Sequence, residues 1–155
     1  MNIQNNHIKI ISKNKKAFRD FIIIDKYEAG LVLKGTEVKS IKNNGANITD
    51  SFAKIINNEV ILYNMHIGHY SHGNIYNCDP IRERKLLLHK REIKKINATL
   101  KEKGFSLIAL SLYLTKGLVK IEIGIGKGKK LYDKRETLKK KTQDREINSH
   151  IKNKF

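Results

Sequence analysis

Along most of the chain, apolar positions come in short bursts of β-branched and aromatic residues broken by Asn, Lys and Gly. Ile8, Ile10 and Ile11 predict a strand over 8–12, and Phe18 with Phe21, Ile22, Ile23 and Ile24 a second over 18–25. Polar Ser12-Lys13-Asn14-Lys15-Lys16 separates them. Residues 27–34 continue extended, with Gly30 marking a bend or bulge. Residues 51–56 and 59–63 flank Asn57-Asn58, a pair that tolerates the positive φ of a tight turn, and so predict a hairpin. Residues 105–114 and 118–125 predict another around Thr115-Lys116-Gly117.

Two segments change the period. Val38 and Ile41 suggest a short helix opened by Gly35-Thr36, with Thr36 as N-cap, Glu37 at the positive end and Asn43-Asn44-Gly45 as the stop. Further on, Asp79-Pro80 reads as a helix opening. Leu86, Ile93, Ile96 and Leu100 then follow at spacings of seven, three and four, one face of an amphipathic helix ending at Gly104. Its other face is basic. Residues 64–80 read as a polar loop. Past Gly126 the pattern fades, and residues 127–155 keep only scattered Leu131, Tyr132, Leu138, Ile147, Ile151 and Phe155, too few to fold alone. About six strands, two helices and a tail predict a mainly β fold with flanking helices, a small closed antiparallel barrel of the oligonucleotide-binding kind.

Charge adds a class of partner. The 155 residues hold 32 Lys+Arg against 15 Asp+Glu, a net +17. The excess is clustered: +5 over residues 1–19, +6 over 81–104 and +7 over 127–155, with residues 20–80 at −2. Clustered cations favour a polyanion, because they release counterions condensed on phosphates. No apolar run exceeds four residues, against the roughly 20 of a spanning helix. The N-terminus lacks the apolar block of a signal peptide, so a cytoplasmic location is expected. The single Cys78 excludes an intramolecular disulfide and a multi-cysteine zinc site.

Candidate chemistry is sparse. Gly124-Ile125-Gly126-Lys127-Gly128 lacks the spacing and Ser/Thr of a phosphate loop, and reads as a strand end passing into a flexible segment whose glycines let backbone and lysines approach phosphate. His66, His69 and His72, with Cys78 beyond, could be metal ligands, but period three in a loop does not align the rings. Contact with RNA is the other reading, helped by interleaved Tyr70 and Tyr76. The acids stand singly among basic residues, without the clustering that Mg²⁺ chemistry uses. No catalytic residue, cofactor or metal is expected.

Several strings together resemble one family. They are Glu28-Ala29-Gly30, then residues 31–40 (Leu-Val-Leu-Lys-Gly-Thr-Glu-Val-Lys-Ser), Ala46-Asn47-Ile48-Thr49-Asp50, residues 79–88 (Asp-Pro-Ile-Arg-Glu-Arg-Lys-Leu-Leu-Leu) and residues 124–135. In this order they resemble the small protein B family, the SsrA-binding proteins that partner transfer-messenger RNA in trans-translation. The resemblance implies a non-enzymatic adaptor on an oligonucleotide-binding-like barrel over residues 1–126. It would bind the tRNA-like domain of that RNA and, with elongation factor Tu, help deliver it to stalled ribosomes. It implies an RNA-binding surface at Gly35, Glu37, Lys39, Asn47, Arg84 and Lys85, with Glu37 either touching the RNA or supporting the fold. It also implies that the basic tail, residues 127–155, is disordered when free and helical on the ribosome. Lys127, Lys129, Lys130, Tyr132, Asp133, Lys134 and Arg135 would enter the decoding region and message channel, with the Tyr132 ring stacking on RNA. A structural ribosomal protein and an RNA-processing enzyme are the competing classes.

Overall fold

The protein is described by a computed structural model covering residues 7–73 and 77–152, apart from the side chains of residues 131–134. Tyr76, Phe155 and the side chains of Leu131, Tyr132, Asp133 and Lys134 therefore lie outside the described residues.

In chain order the elements are β1 (Ile8–Lys13), α1 (Lys15–Asp20), β2 (Phe21–Leu31), α2 (Gly35–Lys42), β3 (Ala46–Asn47), β4 (Phe52–Ile56), β5 (Glu59–Tyr63), β6 (His66–Ile67), β7 (Arg84–Leu87), α3 (Lys90–Leu100), β8 (Phe105–Thr115), β9 (Leu118–Gly128) and α4 (Leu131–Lys152). The order β8-β4-β5-β7-β2-β9, with β9 pairing back onto β8, closes six antiparallel strands into a ring, and β1 adds to the outer side of β8. The expected barrel-like, mainly β fold with flanking helices is thus observed.

The ring is unevenly sewn. β9 pairs with β8 from Phe105↔Lys127 to Thr115↔Leu118, and with β2 from Phe21↔Gly128 to Gly30↔Lys120. In contrast, β4 meets β8 only at Phe52↔Ile108 and Ala53↔Leu107, and β2 meets β7 only at Gly30↔Leu87 and Leu31↔Leu86. Inward side chains including Val60, Leu62, Leu86, Leu107, Leu112, Ile121 and Ile123 fill the interior, joined by Ile41 of α2 and Ile96 of α3. Fully burying side chains of this size stabilises the fold by about 1.5–3 kcal/mol each.

Both predicted hairpins form. Asn57 and Asn58 have φ of 50° and 60°, and Lys116 and Gly117 have φ of 50° and 74°, the left-handed pairs that two-residue turns need. Five local expectations are corrected. Residues 18–20 belong to α1, not to a strand: Asn14 caps the helix, its Oδ1 accepting from Ala17 N at 3.1 Å. Its Nδ2 donates to Ala109 O at 2.8 Å, which anchors the cap on β8. The segments 18–25 and 27–34 merge into one β2, whose irregularity falls between Ile23 and Asp25 and not at Gly30. The N-cap of α2 is Lys34, not Thr36, and Glu37 Oε2 accepts from Lys34 N at 2.9 Å. Asp79-Pro80 opens a turn instead of a helix, Asp79 Oδ1 accepting from Ile81 N at 3.0 Å. Leu86 lies in β7, so α3 starts only at Lys90 and buries Ile96 with Ile93 and Leu100 at its edge.

Two glycines near the end of β9 have a packing task that the sequence did not reveal. The strand runs on to Gly128. A Cβ at Gly124 would come within 2.7 Å of Leu110 Cδ1, and one at Gly126 within 3.0 Å of Ile108 Cδ1. Ala17, Ile108 and Leu110 form a second apolar cluster with Phe18, Phe21 and Ile23 against it, so Gly124 and Gly126 make room for packing, while a Cβ at Gly128 would meet nothing within 4 Å. After β9 the chain turns into α4, whose described side chains are almost all exposed. Lys129 Nζ links the two ends of this corner, donating to Phe18 O of α1 at 3.3 Å and to Thr137 Oγ1 of α4 at 3.0 Å.

Candidate nucleic-acid interface

α2 presents its two faces to different surroundings. Inward, the Glu37 side chain is 3% exposed and accepts from every side. Arg82 donates to it in bidentate fashion, Nε to Oε1 at 2.8 Å and Nη2 to Oε2 at 2.7 Å. Arg84 adds Nε and Nη2 to Oε1 at 3.0 and 2.9 Å. Cys78 Sγ donates to Oε1 at 3.3 Å. Burial pushes the Glu37 carboxyl upward, but hydrogen bonds from Arg82, Lys34 N and Cys78 and the charge of Arg84 outweigh it and hold it at about 2. Arg82 is correspondingly raised by its bond to Glu37.

Arg84 is wholly buried, and its remaining donors are spent on the backbone: Nη1 on Met65 O at 2.7 Å and Arg82 O at 3.0 Å, Nη2 on Pro80 O at 3.1 Å. It offers nothing to a surface ligand. Arg82 and Arg84 lie two apart in extended chain, which places both guanidinium groups on one side. The cluster staples α2 to the 65–84 segment. A buried charge set of this kind holds only because each charge is paired and hydrogen-bonded.

Outward, α2 lines a cleft of about 410 Å³ with Lys34, Gly35, Thr36 and Lys39 on one wall and Tyr70, His72 and Gly73 on the other. Lys39 is exposed, and its Nζ stands 5.5 Å from the Tyr70 ring centroid. His72 meets the same ring edge-on at 5.5 Å. Asn77 fixes the Tyr70 backbone, Oδ1 accepting from Tyr70 N at 3.0 Å and Nδ2 donating to Tyr70 O at 2.9 Å. Ser40 Oγ donates to Gly68 O at 2.6 Å, and a Cβ on Gly45 would lie 2.3 Å from that Oγ, so the 68–73 segment is pinned against α2. Exposed cations beside a π-face form the pair of groups that grips a phosphate and stacks a base.

Of the residues expected at an RNA surface, Gly35 and Lys39 share this cleft, and Glu37 and Arg84 sit beneath it. Asn47 is exposed on β3, pairs with His66, and turns its Oδ1 to Thr49 N at 2.8 Å and Thr49 Oγ1 at 2.7 Å. Lys85 is exposed on β7 and bonds Glu59 at 2.6 Å. Sequence reasoning passed over Lys34 and Arg82 as site residues, and had His72 and Tyr70 only as one of two open readings of the histidine loop. The Arg-x-Arg alternation after Asp79-Pro80 was the available signal for the buried clamp.

The histidines part company. His66 sits on β6, His69 Nε2 lies 3.2 Å from Cys78 O, and His72 joins the cleft. Among the described residues no group of three His, Cys, Asp or Glu is placed to hold a metal ion. On the tail, Lys127, Lys130 and Arg135 are exposed, while Lys129 is occupied at the α1–α4 corner. The exposed side of α3 adds Lys90, Arg91, Lys94 and Lys95. Among the described residues no helix is long and apolar enough to cross a membrane.

Fold and cleft together define a class: a small basic protein whose ring of antiparallel strands carries a cation-and-aromatic cleft and a long polar C-terminal helix. A family model described as SmpB protein matches residues 11–153. The chain is 51% identical over 154 residues to an SsrA-binding protein of Caldanaerobacter subterraneus subsp. tengcongensis, covering 99% of this chain and 98% of that one. It is 58% identical over 139 residues to the SsrA-binding protein of Bacillus pumilus, covering 90% and 89%. A chain in a solved structure described as "tmRNA-SmpB: a journey to the center of the bacterial ribosome" superposes with a TM-score of 0.66 at 39% identity, over 81% of this chain and 92% of that one. The chain belongs to the SmpB protein family.

Proposed function

We propose that this chain is the transfer-messenger RNA partner of its cell, binding the tRNA-like domain and carrying the RNA to stalled ribosomes for trans-translation. The observation that carries the reading is the cleft on α2, where Lys34 and Lys39 face Tyr70 and His72. The lysines take backbone phosphates, and the Tyr70 ring takes an unstacked base. Glu37 then serves binding indirectly, as the anchor of Arg82 and Arg84 that fixes the angle of α2. Family membership and the likeness to a chain of a tmRNA-SmpB structure support the same reading.

The tail makes the second contact. Its net +7 suits ribosomal RNA, and residues 127–135 are the segment for the decoding region, with Tyr132 as a stacking ring. Folding of this segment on the ribosome would be offset by phosphate contacts. Elongation factor Tu joins as the carrier of the charged RNA, the setting is the cytoplasm, and the chain performs no chemistry of its own.

Affinity purification from growing cells, followed by sequencing of bound RNA, tests the reading. A single stable RNA with a tRNA-like end is expected. Recovery of only ribosomal RNA at ribosome stoichiometry would overturn it in favour of a structural ribosomal protein. Incubation of RNA with the protein and Mg²⁺ is expected to yield no cleavage.

A further inference from the structure

The corner between β9 and α4 is built around one side chain. Lys129 is half-buried, whereas Lys127 and Lys130 are exposed. Its backbone N donates to Asp20 O at 2.9 Å and its Nζ to Phe18 O at 3.3 Å. Both carbonyls belong to the last turn of α1, where helix carbonyls lack intrahelical partners, and Phe21 N donates to Ala17 O beside them. Lys129 thus closes α1 twice, and its ammonium meets the negative end of that helix dipole. α1 is itself fixed on the barrel. Asn14 N donates to Leu110 O and Asn14 Nδ2 to Ala109 O, both at 2.8 Å, and Ala17 is buried in one cluster with Ile108 and Leu110. Lys129 therefore carries the frame of the barrel to the start of the tail.

On its other side the same ammonium donates to Thr137 Oγ1 at 3.0 Å. Among the described side chains of α4, Thr137 alone is half-buried and all the rest are exposed. The helix runs for 22 residues, and its Leu138, Ile147 and Ile151 lie open to solvent. Most helices in proteins are held by packing an apolar face, and the described part of α4 packs none. Forming the first turn is the costly step of helix formation, so a bond that ties Thr137 to the body acts where help is most needed. We propose that Lys129 is a positioning residue and not a ribosomal contact: it caps α1 and, through Thr137, seeds the first turns of α4 and sets the direction in which the tail leaves the barrel. Lys127 and Lys130 keep the phosphate contacts. The seat is a property of this chain alone, and only its effect on peptide tagging rests on the proposed role of the tail.

NMR of the full chain in solution tests it. The native protein should show helical Cα shifts over residues 135–142 and nuclear Overhauser contacts from the Lys129 Hε protons to Thr137. Thr137→Val keeps the side-chain shape and the helix propensity and removes the acceptor. It should lower those shifts about twofold, and Thr137→Ser should restore them. Lys129→Met should match Thr137→Val, while Lys130→Met, which removes the same charge one residue on, should leave the shifts as they are. In reconstituted tagging, Thr137→Val should slow the reaction about twofold, in step with the helix population, at unchanged affinity for transfer-messenger RNA. Unchanged tagging with lowered shifts would retain the seat and overturn the role of the tail instead. Random-coil shifts over residues 135–142 in the native chain, native shifts in Thr137→Val, or an equal loss in Lys130→Met would overturn the proposal.

Discussion

Replacing Glu37 by Gln keeps the shape of the side chain and removes its charge. Four guanidinium contacts at 2.7–3.0 Å then meet a neutral amide, half of which is itself a donor. Arg84, with no exposure, cannot recover water. Breaking a buried pair by removing one partner costs about 3–5 kcal/mol. Proton linkage gives a figure of the same size. A carboxyl ordinarily near 4.5 and held at about 2 contributes about 3 kcal/mol, at about 1.4 kcal/mol per tenfold. Because the folded-state value is depressed, that contribution is complete above pH 4.5 and is lost as pH falls towards 2. Urea unfolding of both proteins at pH 7 and at steps down to pH 2.5 measures it. The variant should be about 3 kcal/mol weaker at pH 7, and the gap should shrink as the solution is acidified. A gap under about 1 kcal/mol at pH 7, or one that does not change with pH, would refute the reasoning.

Other outcomes follow from the same geometry. Tyr70→Ala should cost about 1–3 kcal/mol of RNA affinity by filter binding. Lys39→Ala should make the salt dependence of that affinity shallower by about one counterion, and an unchanged slope would remove Lys39 from the phosphate contacts. Gly124→Ala forces a Cβ within 2.7 Å of Leu110 Cδ1 and should lower stability by about 1–3 kcal/mol in calorimetry, with far-UV circular dichroism unchanged. Deleting the residues after Gly128 should leave transfer-messenger RNA binding intact and abolish peptide tagging, and joint loss would argue against separate roles.

Periodicity sufficed where a segment makes its contacts locally. The Asn57-Asn58 and Lys116-Gly117 turns were readable because left-handed φ restricts residue choice at those positions. It failed where a distant partner decides. Residues 84–87 look helical beside Ile93 and Ile96, yet β5 and β2 offer ladders that draw Arg84–Leu87 into a strand. Asn14 was an overlooked cap signal, since its second bond runs to Ala109, far along the chain. Lys39 and Gly35 were legible at the site through motif resemblance. The inward turn of Glu37 and Arg84 was not, because a residue's type does not reveal which face of a short helix or strand closes on its neighbours.

The wiring of β8 and β9 has a consequence for how the molecule is made. β1, β2 and β4 each have one ladder edge that only the β8–β9 hairpin, starting at Phe105, covers. A nascent chain that has released only its first hundred or so residues therefore holds open strand edges with nothing to cap them. Biogenesis must end in one late, concerted closure, and no amino-terminal fragment should survive proteolysis as an independent unit. The protein becomes safe from aggregation only after almost all of its sequence has left the tunnel.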